Sequence, residues 1–107
     1  MFSNETLALY FDNLIGRVYK ILPLKEANES TLAEYLDSLA FEMTGLELLT
    51  SLADQTYYTS ILATISYFAK CIDDCDVVKV KREVFRMINL CKRLRGYYRG
   101  GGYNAGA

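Results

Sequence analysis

Apolar side chains recur at three- and four-residue steps through four successive stretches of this chain, and that spacing rules out most architectures before composition is considered. Leu7, Phe11, Leu14, Val18 and Ile21 form the first stripe, and Leu32, Leu36, Leu39, Met43 and Leu46 the second. Tyr58, Ile61, Leu62, Ile65, Phe68 and Ile72 form the third, and Val80, Val84, Met87, Ile88, Cys91 and Leu94 the fourth. Such steps place residues on one side of an α-helix, whereas a strand would alternate every second residue. The one β-like run, "VVKVK" at 77–81, flows directly into a helical pattern. The spacing predicts helices over about 4–22, 31–52, 55–73 and 77–95.

Local signals set the expected boundaries. Ser3 or Asn4 can cap the first helix and Asp76 the fourth, while Thr31 with Glu34 reads as a capping box for the second. Pro23, the single proline, is expected to end the first helix, because residues before a proline disfavour helical dihedrals. Gly45 marks either a close helix crossing or a tolerated cost, and Gly96 is expected to close the fourth helix. Four helices joined by short connections predict an all-α, antiparallel up-down four-helix bundle. At 107 residues the chain is sized for one domain, read as a bundle over 1–96 and a flexible Gly/Tyr tail over 97–107.

Chemistry is constrained by what is missing. The chain has no histidine, so Ser-His and Cys-His nucleophile pairs are excluded. Neither "GxxxxGK[ST]" nor "GxGxxG" occurs. Cys71 and Cys75 share a helix face, but a zinc site there needs ligands from elsewhere, and "DDCD" at 73–76 lacks EF-hand spacing. The reading is of a protein that is not an enzyme and has no cofactor and no metal. No apolar stretch approaches the roughly 20 residues that span a bilayer, and "MFSNETLALY" lacks signal-peptide features. A cytoplasmic protein without a membrane partner is expected.

Two surfaces remain. From Gln55 to Ile72 the third helix carries one charge, Lys70, and its outer side offers Thr56, Thr59, Ala63, Ser66 and Tyr67; a helix with two weakly polar sides is usually covered on both. Phe41 and Leu48 lie two turns apart, opposite the core stripe of the second helix. Phe41, Leu48, Thr59, Ala63 and Tyr67 are therefore the expected oligomer or partner interface, and the chain is expected to be a homo-oligomer. A pocket at a subunit interface, lined by Tyr57, Thr59, Ser66 and Tyr67, is a further candidate for a small ligand such as a nucleotide.

The second surface is electrostatic. Residues 1–76 hold four basic and twelve acidic side chains, a net of −8, whereas residues 77–107 hold eight basic and one acidic, a net of +7. Lys79, Arg82, Arg86 and Arg93 fall within about 60° of one another opposite the fourth core stripe, a row about 21 Å long. Arg95 and Arg99 extend it toward the tail. Phosphates of RNA or DNA, an acidic protein surface, or the chain's own acidic helices are the three possible counterparts.

"LYFDNLIGRVYKILPL", "TLAEYLDSLAFEMTGLELL" and "DCDVVKVKREVFRMINLCKRL" resemble short uncharacterised reading frames of Firmicutes genomes and their mobile elements. The second segment and the basic last helix are also similar to the four-helix-bundle accessory proteins of diversity-generating retroelements and ribosomal-RNA intervening sequences. That resemblance implies a ring-shaped oligomer with a positive surface holding RNA, although the acidic first three helices depart from that strongly basic family. The expectation is a non-catalytic, oligomeric helical protein acting as a nucleic-acid-associated accessory factor through its last helix. The alternatives are a protein adaptor or inhibitor encoded by a mobile element or phage, or the small-ligand binder.

Overall fold

The structure is a computed structural model that describes residues 2–100. Helix α1 spans Asn4–Tyr19, with Ser3 as its cap: the Ser3 Oγ accepts from the Thr6 N–H at 3.1 Å. Pro23 does not stop the chain from being helical. A short helix α2, Ile21–Glu26, follows at once and holds Pro23 in its first turn, where a missing N–H leaves no gap in the helix's own bonding. The stop comes at Asn28, which adopts the left-handed conformation (φ 54°). The Glu29 N–H then bonds the Leu24 carbonyl and the Asn28 N–H bonds that of Lys25, both at 3.0 Å, the paired bonds of a Schellman end.

Helix α3 covers Leu32–Leu49 and α4 covers Thr56–Cys71. Thr31 stands at the α3 N-cap but its side chain makes no capping bond, contrary to the capping box expected there. Leu52 leaves the helix for a 3₁₀ turn, Leu52–Asp54, and is buried by it. A second 3₁₀ turn, Ile72–Asp74, closes α4, and Lys25 Nζ donates to the Ile72 carbonyl at 2.8 Å, a cation at a helix C-terminus.

Helix α5 spans Val77–Arg99, with the Asp76 carboxylate accepting from the Lys79 N–H at 2.7 Å. Gly96 does not cap it. The helix runs through Gly96 for another turn, and Gly100 takes the capping position. Tyr97, Tyr98 and Arg99 therefore belong to the bundle rather than to a tail; residues 101–107 of the expected tail lie outside the described residues.

The helices form an all-α four-helix arrangement in which α1 lies against α5, α5 against α4, and α4 against α3, with α2 resting on α5. The ring of neighbours closes between α1 and α3 through side chains. Arg17 donates twice to the Glu42 carboxylate, at 2.7 and 3.0 Å, Tyr10 donates to the same carboxylate at 2.9 Å, and the Tyr35 hydroxyl donates to the Arg17 carbonyl at 2.7 Å. Helices α3 and α5 thus occupy diagonal corners.

The expected stripes make the core, apart from Leu46 and Leu62, which are half-buried. Its centre is aromatic. Phe11 stacks on Tyr98 with centroids 5.8 Å apart and meets Tyr58 edge-on at 5.9 Å, and the Tyr58 hydroxyl donates to the Met43 carbonyl at 2.7 Å. No charged side chain is buried among the described residues, and each of their buried side-chain nitrogens and oxygens has a partner. A Cβ built on Gly45 would meet nothing within 4 Å, so this glycine marks no crossing inside the bundle.

Candidate functional site

Helix α5 places its cations on three different surfaces. Lys79, Arg86 and Arg93 stand seven residues apart, two turns of helix, and lie along the seam with α4. Running the other way, α4 meets them with hydroxyls. Lys79 Nζ donates to the Tyr67 hydroxyl at 3.0 Å and stands 4.9 Å from the ring centroid. Arg86 donates to Ser60 Oγ at 2.9 Å and to Thr64 Oγ1, and holds Glu83 at 3.0 Å. Arg93 lies over the Tyr57 ring at 5.7 Å, with its hydroxyl at 3.3 Å. The result is an antiparallel ladder of cation–hydroxyl pairs within one chain.

Arg95 faces the opposite seam, where it pairs with Asp12 of α1 at 2.7 Å. Arg99 lines a groove of about 480 Å³ with Asn4, Glu5, Ala8, Leu9 and Tyr98, also on the α1 side. Arg82 points outward, its side chain 69% exposed and only loosely near Glu83 at 3.8 Å. The row read from the helical wheel is therefore not one continuous surface: its members divide between the α4 seam, the α1 seam and solvent.

The outer side of α4 is changed by the same ladder. Tyr67 and Ala63 are exposed, but Tyr67 accepts from Lys79, and the groove both residues line, about 210 Å³, is shared with Thr64, Phe68, Lys79 and Glu83. Thr59 is half-buried and donates to the Thr56 carbonyl at 3.0 Å. Tyr57, Thr59 and Ser66 do not reach the groove that Tyr67 lines.

The α3 strip is the opposite case. Phe41 is 83% exposed and Leu48 84%, with Leu49 exposed beside them. Between them lie Thr44, whose hydroxyl turns back to the Ala40 carbonyl at 2.8 Å, and the open notch at Gly45. Leu48 and Leu49 continue into a groove of about 520 Å³ at the end of the bundle, with Phe2, Leu7 and Tyr98. The outer face of α5 is also partly apolar: Val78 is 74% exposed and Phe85 is exposed, leaning edge-on toward Tyr19 at 6.5 Å.

Titratable groups off these faces serve packing. The Arg17 guanidinium holds the Glu42 carboxyl below its ordinary range, while burial, with the bond to Glu42, pushes the Tyr10 hydroxyl up. Burial pushes the Cys91 thiol up to about 12, and Cys75, also raised mainly by burial, donates its S–H to the Cys71 carbonyl.

Among the described residues, the fold is a small helical bundle whose α3 and α5 outer faces expose large apolar side chains. No known protein family, characterised protein or solved structure matches the chain.

Proposed function

We propose that this bundle is a binding protein without catalytic chemistry, and that it docks a protein surface through the outer face of α3. The observation that carries this reading is the exposure of Phe41 and Leu48, more than four-fifths each, on one line of a helix whose other apolar residues, Leu49 apart, are buried or half-buried. Full exposure of both side chains forgoes about 1.5–3 kcal/mol each of burial that a partner surface would recover. Thr44 and Gly45 keep the line between them low, so an opposing surface can approach closely.

A polyanion-binding role for α5 has less support. Lys79, Arg86, Arg93 and Arg95 direct donors to side chains of neighbouring helices, leaving Arg82, Arg99, Lys81 and Lys92 as the cations without such a bond among the described residues. The test is capture with the tagged chain beside its Phe41→Asp and Leu48→Asp variants, each checked for unchanged helix content. The expected result is a protein complex formed by the parent and lost from both variants. Co-purification of RNA or DNA that is unaffected at Phe41 but lost on Arg82→Glu would replace this reading with the nucleic-acid one.

A further inference from the structure

We infer that the surface received by the α3 face is the outer face of α5 on a second copy of this chain, an inference that rests on reading α3 as a docking face. The two faces match in spacing and in charge. Phe41 and Leu48 are seven residues apart, and so are Val78 and Phe85, about 10.5 Å in each helix. Laid antiparallel, Phe41 meets Phe85 and Leu48 meets Val78. The same register then brings Glu34 opposite Lys92, Asp37 opposite Asn89, and the notch at Gly45 opposite Lys81 and Arg82.

The alternatives lack this match. A parallel register that keeps the apolar pairs sets Asp37 opposite Asp74. Two α3 faces would bring together helices that each hold Glu34, Asp37, Glu42 and Glu47 and no cation. Two α5 faces would bring cations against cations. Only the unlike pair joins apolar to apolar and acid to base.

Geometry sets the form of the assembly. Because α3 and α5 occupy diagonal corners, each copy offers one face of each kind on opposite sides, so the contact is head-to-tail and does not close after two copies. One helix lying on another buries less than the roughly 1,200 Å² of a standard stable interface, so association depends on concentration.

The experiment is sedimentation equilibrium of the full chain at low ionic strength, from about 10 μM to about 1 mM, a range that spans weak contacts. The parent is expected to grow in mean mass beyond a dimer. Phe41→Asp, with a dead α3 face, and Phe85→Asp, with a dead α5 face, are each expected to remain monomeric alone and to form a 1:1 dimer when mixed. Val78→Asp replaces Phe85→Asp if the latter loses helix content. Glu34→Lys should weaken assembly at least threefold, and adding Lys92→Glu should restore it.

A parent that stays monomeric throughout overturns the inference, and so does continued dimerisation of folded α5-face variants, which would mean α3 pairs with α3. The reading of α3 as a docking face survives either result if Phe41→Asp still abolishes capture of another protein or dimerisation. It falls with the inference if Phe41→Asp changes neither.

Discussion

Arg86 and Arg82 are four residues apart on the same helix and do different work. Arg86 spans the α4 seam, bonding Ser60, Thr64 and Glu83, whereas Arg82 extends into solvent. Removing the first guanidinium takes the donor away from the half-buried Ser60 and Thr64 hydroxyls and from Glu83, so Arg86→Met is expected to cost about 1–2 kcal/mol. Arg82→Met should stay within about 0.5 kcal/mol of the parent, both read from urea midpoints. Glu42 gives a pH signature. Its carboxyl is held below the ordinary range by Arg17, so the pair's contribution is complete above about pH 4.3, the usual unfolded value, and is lost as pH falls through the lower folded one. For a pair about one-third exposed that contribution is about 0.5–1 kcal/mol. Urea midpoints between pH 3 and 6 should therefore fall less steeply at the acid end for Glu42→Gln.

Among the elements, α5 shows how a breaker loses to burial. A glycine within a helix costs about 1 kcal/mol relative to alanine, and Gly96 was a reasonable place for the helix to end. One turn on, however, Tyr98 stacks on Phe11 in the core, and burying an aromatic ring outweighs that cost. Tyr98→Ala is expected to lose about 3 kcal/mol. Gly96→Ala should gain up to about 1 kcal/mol, since a Cβ there meets nothing within 4 Å. Thermal unfolding followed by circular dichroism reads both. The same contrast explains what was legible in the sequence. Core stripes such as Val80, Val84, Met87 and Cys91 follow from spacing within one helix. The destination of Lys79, Arg86 and Arg93 does not, because a helical wheel gives a residue's angle from its own core but not which neighbour stands beside it. Spacing puts Tyr67 on an uncovered side of α4 and the basic row on an uncovered side of α5, yet Tyr67 meets Lys79 across the seam, and Ser60 and Thr64, which no stripe singles out, meet Arg86. Phe41 and Leu48 were legible because they lie directly opposite their core stripe, where no neighbour of the bundle can reach.

At the scale of the whole molecule, the charge split becomes a separation in space: acidic α3 and basic α5 occupy diagonal corners, giving the bundle a negative side and a positive one. If copies associate through those sides, attraction over several ångströms assists them only while salt is low. Raising salt from 0.1 M to 1 M shortens the screening length from about 10 Å to about 3 Å. Parent assembly is then expected to weaken several-fold, with the residual association still abolished by Phe41→Asp; light scattering across a salt series measures it. An association that strengthens with salt would point to apolar contact alone.

The pairing of α1 with α5 also orders events in time. Helix α1 finds its main neighbour in α5, which begins about sixty residues after α1 ends. Until α5 emerges, Phe11, Leu14 and Val18 have no wall on that side, and a nascent chain carrying only α1 to α4 presents an open apolar trough. At elongation rates of roughly 5–20 residues per second that exposure lasts seconds, long enough for a chaperone to engage. Completion of this fold thus waits on translation of α5, and a ribosome stalled within α5 would hold a sticky, half-built bundle rather than a small stable one.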